Sequence, residues 1–339
     1  MNRAAVLGTG LIGTSVALAL TEGGWTVTGW DPNPEHLAVA GSRRALLPAR
    51  SPADAIEGVD LVVLAGPPQA IVAQLADLST DALVTDVAGV KTPVVEAARH
   101  LPRFVGGHPM AGRESTGPGL ATSSLFKGAS WVLTIDRTSA AALSAVSEIV
   151  ASLGATPIPM TAADHDADVA LISHLPHVLA SALVRKVAAH PEALELAAGG
   201  FRDLTRIALS EPSWWADVLV ANRTEVASSL RDMATELAAW AVRIEQDDSP
   251  AVAAALQGAR EVRRSLAPPV AAVIVVLDDR PGEVARVGHA LAASRVDLRD
   301  LQLRHATHGG GGILTLSVRF EEEAALRQAL ISDGFRLGD

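Results

Sequence analysis

Residues Ala4–Gly8 form a short apolar run that stops on a glycine, and this arrangement recurs along the first half of the chain. Trp25–Trp30, Leu61–Ala65, Leu83–Val87, Phe104–Gly107 and Ser130–Ile135 are further apolar runs, with helical patterns such as Leu11–Leu20 between them. Strands that are apolar throughout, rather than alternating, are buried on both faces. Connected through helices, they predict a Rossmann-type, doubly wound parallel sheet over about residues 1–155. The apolar first twenty residues are broken by Gly8, Gly10 and Gly13. They therefore suit a buried strand turning into a helix, not a membrane span or a signal peptide.

From about Thr161 to Leu266 the strand signals stop, and Ala, Leu and Val recur at helical spacing. Residues 156–266 are expected to form an all-helical middle domain. One long helix begins near Ala162 and runs past His177, with a kink at Pro176. Another helix starts at Pro212, and Ala216–Gln246 reads as one long helix. Helices this apolar need a second surface to cover them, which predicts a homodimer. Pro268-Pro269 marks the next boundary. Beyond it, 268–339 reads as strand, helix, strand, strand, helix, strand, with a glycine loop at Gly309–Gly312. That order is a ferredoxin-like βαββαβ unit.

Composition narrows the function. The 339 residues carry 28 basic and 38 acidic side chains, a formal charge of −10, which argues against nucleic acid or an anionic membrane as a partner. The chain has no cysteine, so thiolate chemistry, disulfides and cysteine-ligated metals are excluded. A cysteine-free chain is compatible with a cytoplasmic location.

Gly8-Thr9-Gly10-Leu11-Ile12-Gly13 is G-x-G-x-x-G between a strand and a helix, the context in which the motif binds a dinucleotide. The first glycine permits the turn, the second admits the pyrophosphate, and the third lets the helix pack closely on the sheet. Asp31 ends the second strand 18 residues beyond Gly13. A carboxylate there accepts bonds from ribose hydroxyls and repels a 2′-phosphate, so NAD is expected over NADP.

Three further clusters carry chemistry. Gly106-Gly107-His108-Pro109 places an imidazole on a constrained loop after a strand, where an open parallel sheet binds ligands. Such a histidine can take a hydroxyl proton while hydride leaves, or it can be merely structural. His165-Asp166 precedes Ser173-His174-Leu175-Pro176-His177, in which His174 and His177 would share a helix face. No third ligand has suitable spacing, so no metal is expected. In Gly199-Gly200-Phe201-Arg202-Asp203-Leu204-Thr205-Arg206, the arginines suit a substrate carboxylate, or an Arg–Asp pair caps a helix.

In this order these motifs, together with Asp86-Val87-Ala88-Gly89-Val90-Lys91 and Gly-His-Pro-Met-Ala-Gly-x-Glu, resemble the prephenate/arogenate dehydrogenase family over about residues 1–265. The resemblance implies NAD-dependent oxidation of prephenate or arogenate with loss of CO2. It implies that His108 assists deprotonation of the ring hydroxyl and that Arg206 binds a substrate carboxylate. It places His177 near the substrate side chain, Glu114 at the entrance, and Trp215 near the neighbouring subunit's site. One departure stands out. The family commonly has serine where this chain has Gly89, so something else, a water or Ser115, is expected to orient His108.

Residues 268–339 resemble an ACT-type domain, with Asp278-Asp279-Arg280-Pro281-Gly282 at the loop before its first helix. An amino-acid effector there, tyrosine or phenylalanine, is one expectation. A purely dimer-stabilising role is the other, and Asp297 stands where ligand-binding members often have asparagine. Two alternatives compete for the whole chain. A 3-hydroxyacid dehydrogenase would need a catalytic lysine in the helical half, where Lys186 alone is present, without a supporting motif. A non-catalytic NAD-responsive regulator would have no use for His108 and Arg206.

Overall fold

The structure, a computed structural model, describes residues 2–111, 117–266, 270–305 and 311–338. Glu114, Ser115, Pro268-Pro269 and, of the glycine loop, Gly309 and Gly310 lie outside the described residues. The chain divides into two compact units, Met1–Thr235 and Glu236–Asp339.

In the first unit, six parallel strands form the main sheet: β1 (Arg3–Leu7), β2 (Thr26–Trp30), β3 (Leu47–Pro48), β4 (Leu61–Leu64), β5 (Leu83–Asp86) and β6 (Phe104–Val105). Their order is β3-β2-β1-β4-β5-β6. The apolar runs are buried on both faces, as their composition requires. Val6, Leu61 and Val63 enter one core with Val16 and Leu20 of the Leu11–Glu22 helix. Val62, Leu64 and Val84 enter the other with Ile71 and Leu75 of the Pro68–Asp77 helix. The strand order reverses between β1 and β4, and the crevice at the carboxyl ends of such strands is where open α/β sheets bind ligands.

Two expected strands behave differently. Phe104–Gly107 is not one strand: β6 ends at Val105, and β7 (Gly107–Pro109) belongs to a second sheet. There it pairs antiparallel with β8 (Ser130–Thr134). The second sheet is completed by β9 (Thr156–Met160), parallel to β8 at its edge. Pro157 and Pro159 hide β9 in the sequence. They alternate along an edge strand, where a missing N–H costs no ladder bond.

The helical segment also departs from expectation. Ala162–Val169 and Leu175–Ala188 are α-helical, and the residues between them, Ala170–His174, form a π-helical turn. The irregularity therefore precedes Pro176, which sits in the first turn of the second helix. The expected helix Ala216–Gln246 is two helices, Pro212–Ala221 and Arg223–Glu245, interrupted at Asn222. That side chain is buried and hydrogen-bonded to the neighbouring helical segment, so it interrupts a pattern whose periodicity is continuous.

In the second unit, β10 (Val270–Leu277), β11 (Asp300–His305), β12 (Gly312–Arg319) and β13 (Arg336–Gly338) form an antiparallel sheet in the order β11-β12-β10-β13. Helices Glu283–Ser294 and Glu323–Ser332 pack on it through Val287, Leu326 and Leu330.

The turn after β1 is fixed by close approach. Gly8 has φ +103°, and a Cβ there would lie 2.1 Å from the Ala65 carbonyl oxygen. A Cβ on Gly13 would lie 2.0 Å from the Gly8 carbonyl oxygen. Gly13→Ala is expected to destabilise the protein by about 1–3 kcal/mol, as overpacking does. Thermal denaturation checks this, and an unchanged midpoint would contradict it.

Candidate active site

A cavity of about 560 Å³ opens at the strand reversal. Its walls come from the loops after β1 (Gly10, Leu11, Ile12), after β4 (Ala65–Pro68) and after β5 (Val87, Ala88, Gly89), and from His108–Ala111. Trp214 and Trp215 face it from the Pro212–Ala221 helix, which packs against the Pro68–Asp77 helix.

The glycine turn fits a dinucleotide. Gly10 caps the Leu11–Glu22 helix without any side-chain bond to its first N–H groups, and a Cβ on Gly10 would meet nothing within 4 Å. The space beside the helix N-terminus is thus open to a phosphate, which the helix dipole favours. Thr9 is fully buried and clasps Asp31: its N–H and hydroxyl donate to Asp31 Oδ2 at 2.5 and 3.0 Å. Asp31 Oδ1 accepts from the Asn33 N–H at 2.8 Å.

His108 sits on β7, partly buried, on the cavity wall. Its strand is anchored by a buried ion pair. Asp86, at the end of β5, accepts from the N–H groups of Gly107 (3.0 Å) and Ala88 (2.8 Å) and from Lys91 Nζ. Lys91 Nζ also donates to the Gly107 carbonyl at 2.6 Å. Burial pulls the Lys91 ammonium below its ordinary value, and Asp86 and Asp166 work to keep it charged. Both residues are completely buried, so removing either would strand a charge.

Behind His108 lies a second buried network. His108 Nδ1 is 2.8 Å from His165 Nε2, and His165 Nδ1 is 2.8 Å from Asp166 Oδ1. Asp166 accepts from the Lys91 and Thr92 N–H groups at 2.7 and 2.8 Å. Burial alone would raise the Asp166 carboxyl, but the hydrogen bonds from His165, Thr92 and Lys91 outweigh it and hold it below the usual range. Asn222 Nδ2 donates to the Asp166 carbonyl at 2.7 Å and to His174 Nδ1 at 3.2 Å. The π turn brings His165 and His174 into this one network. Nine residues at about 3.6 per turn would put them on opposite faces of an unbroken helix. Burial, first, pulls His174 down to about 4.

His108 is itself pulled well below 6.5, first by burial, then by His165, Lys91 and His174, with Asp166 opposing. Position 89 carries no side chain, and the ring of His108 is bonded through Nδ1 to His165. A Cβ built on Gly89 would lie 3.6 Å from His108 Nε2, and both residues line the cavity.

The other expected residues divide. Trp215 lines the cavity, and His177 stacks on it at 3.8 Å between ring centroids, 11° from parallel. His177 is buried, its Nδ1 has no hydrogen-bond partner, and burial pulls it below its ordinary value. Arg206 is exposed at the start of the 3-10 turn Arg206–Leu209 and does not line the cavity. Asp86, Lys91, His165, Asp166 and Asn222 are all part of the site's support, and only Asn222 carries no motif signal.

Residues 16–158 match the prephenate dehydrogenase nucleotide-binding domain, and residues 161–258 match the prephenate dehydrogenase dimerization domain. The glycine turn lies ahead of the first match, so its assignment stands on geometry. The chain is 30% identical to prephenate dehydrogenase of Lactococcus lactis, over 85% of each chain. It resembles the crystal structure of Aquifex aeolicus prephenate dehydrogenase in complex with hydroxyphenyl propionate and NAD+. The TM-score is 0.74 at 29% identity, covering 79% of this chain and 99% of that one. Synechocystis arogenate dehydrogenase superposes with a TM-score of 0.69 at 30% identity, over 78% and 100%.

Gly10→Ala separates binding from stability. Its Cβ meets no protein atom, so the melting temperature should hold while dinucleotide affinity falls about tenfold or more, a loss of about 1.4 kcal/mol. Titration calorimetry with NAD+ tests this, and unchanged affinity would remove the turn from the binding site.

Proposed function

Because the chain belongs to the prephenate dehydrogenase family, we propose that it oxidises prephenate with NAD+, releasing CO2 and giving 4-hydroxyphenylpyruvate. The observation that carries this reading is the His108 imidazole. It stands on the wall of a cavity that begins at a dinucleotide-type glycine turn, with Nε2 toward open space and Nδ1 held from behind.

NAD+, when bound, supplies the hydride acceptor. The Leu11–Glu22 helix N-terminus and Gly10 would hold its pyrophosphate, and Asp31 would accept from the adenine ribose hydroxyls. Oδ1 of Asp31 keeps acceptor capacity for this, and its charge disfavours a 2′-phosphate, which supports NAD over NADP. His108 Nε2 takes the proton of the carbinol hydroxyl as hydride leaves the same carbon and the ring carboxylate departs as CO2. Loss of CO2 makes the ring aromatic and leaves a phenolate oxygen, to which His108 returns the proton to give 4-hydroxyphenylpyruvate, so the residues chiefly orient the substrate and hold one proton in transit. Trp215 offers a flat face suited to the ring or side chain, with His177 stacked on it. Arg206 and Glu114 are read as carboxylate-binding and entrance residues by resemblance.

The similarity to Synechocystis arogenate dehydrogenase supports arogenate as the alternative substrate. A non-catalytic NAD-responsive regulator is disfavoured by the supported, cavity-facing imidazole.

The proposed organisation is a nucleotide-binding domain (1–155), a helical domain (156–266) and an ACT-type domain (268–339). The match to a dimerization domain supports a homodimer. The βαββαβ order and the β11-β12-β10-β13 sheet support a ferredoxin-like C-terminal unit. Its Asp297 carboxylate pairs with Arg299 at 2.8 Å and Arg319 at 3.3 Å, and an amino-acid effector and a dimer-stabilising role stand as the two readings of this unit. The Ala162–Ala188 helix is long and apolar enough by composition to cross a bilayer. Its His165 and Asp166 are tied into the nucleotide-binding half, which supports a place in the core of a cytoplasmic enzyme.

His108→Asn should cut kcat by about 100-fold or more with little change in KM, since it removes the base and keeps the size. The assay follows NADH and CO2 from prephenate and from arogenate. Absence of turnover by the unaltered enzyme with both substrates would overturn the reading. The pH profile gives a second test. His108 must be neutral to accept a proton, and it is held below 6.5. kcat/KM should therefore stay level as pH falls to 6.5 and decline only below it. An acid limb centred at or above 6.5 would contradict this assignment.

A further inference from the structure

We infer that His165 is a positioning residue that, with Asp166, fixes which nitrogen of His108 is free to accept a proton. The inference rests on the reading of His108 as the base and deepens it.

The argument is a proton count along a chain of three side chains. Asp166 accepts from two backbone N–H groups, of Lys91 and Thr92, and a carboxylate has no proton to offer a third partner. The nitrogen 2.8 Å from it, His165 Nδ1, therefore carries the hydrogen. A neutral His165 then has its lone pair on Nε2, which faces His108 Nδ1 at 2.8 Å. Two lone pairs cannot share that distance, so His108 Nδ1 carries the next hydrogen. A neutral His108 is left with its lone pair on Nε2, the nitrogen nearest the open position at Gly89.

The opposite tautomer would direct an N–H into the cavity and leave the imidazole unable to accept. The selection begins at the backbone amides of Lys91 and Thr92, which cannot change their protonation. His165 is 1% exposed and its ring stands edge-on to His108 at 81°, so it touches neither the cavity nor a substrate within it. Its role is carried through His108 alone.

The test compares His165→Phe, which keeps a ring and removes the acceptor, with His165→Gln, whose amide oxygen can replace Nε2. NAD+ affinity and melting temperature report whether each variant folds. His165→Phe is expected to lose about 100-fold in kcat with KM for prephenate changed little, and His165→Gln to recover most of the loss. Nitrogen-15 NMR of histidine-labelled protein, with His108 identified by its loss in His108→Asn, reads the tautomer without substrate. The unaltered enzyme should show protonated Nδ1 and bare Nε2, and His165→Phe a mixture.

A bare Nδ1 in the unaltered enzyme would overturn the inference. So would a His165→Phe variant with kcat within twofold of the original and an unchanged tautomer. If His165→Phe does not fold, the tautomer in the unaltered enzyme and the activity of His165→Gln decide alone. Failure of the base reading looks different: His108→Asn would turn over normally, whatever tautomer is seen.

Discussion

The Asp166 carboxylate, held by the amides of Lys91 and Thr92, joins the two halves of the first unit. It comes from a helix of the C-terminal half and lands on the loop after β5 of the nucleotide-binding half. The bond to the Lys91 amide fixes the loop whose side chain, one residue's reach away, clamps Asp86 and the Gly107 carbonyl. The bond from His165 passes the same constraint to His108 from the other side. The His108 imidazole is thus gripped through its backbone by one buried network and through its ring by another, and both meet at Lys91. Buried polar groups carry a large penalty when unpaired, so such networks favour a single arrangement.

Position 89 has no side chain, and the bonded partner of the His108 ring lies at its other nitrogen, Nδ1. An orienting group in front of His108 would occupy the cavity. An orienting group behind it leaves Nε2 and the adjoining space clear for substrate. Trp214 and Trp215 line the same cavity as the glycine turn, and His177 stacks on Trp215 from outside the cavity lining.

Much of this was legible in the residues. Runs such as Leu61–Ala65 and Leu83–Val87 read as buried parallel strands because nothing polar interrupts them. The glycine turn and Gly106-Gly107-His108 announced their geometry because glycine spacing reflects backbone approach. What escaped has physical causes. Alternating prolines hid β9. The shift of Gly107–Pro109 into a second sheet depends on pairing with β8, over twenty residues away, which no local pattern encodes. The break at Asn222 and the π turn at Ala170–His174 are set by tertiary bonds that helical periodicity passes over. His165-Asp166 was visible as a polar pair in an apolar helix, but its partners are backbone amides at 91 and 92, and an amide leaves no mark in a sequence.

The central claim is that His108 Nε2 meets the substrate hydroxyl in front of the dinucleotide. A crystal structure of the enzyme with NAD+ and a hydroxyl-bearing substrate analogue measures this directly. The account predicts that oxygen at hydrogen-bond distance from Nε2, about 2.6–3.2 Å, with the nicotinamide on the cavity side of Gly89. An imidazole turned away from the bound hydroxyl, or a dinucleotide lying outside the crevice between β1 and β4, would contradict it.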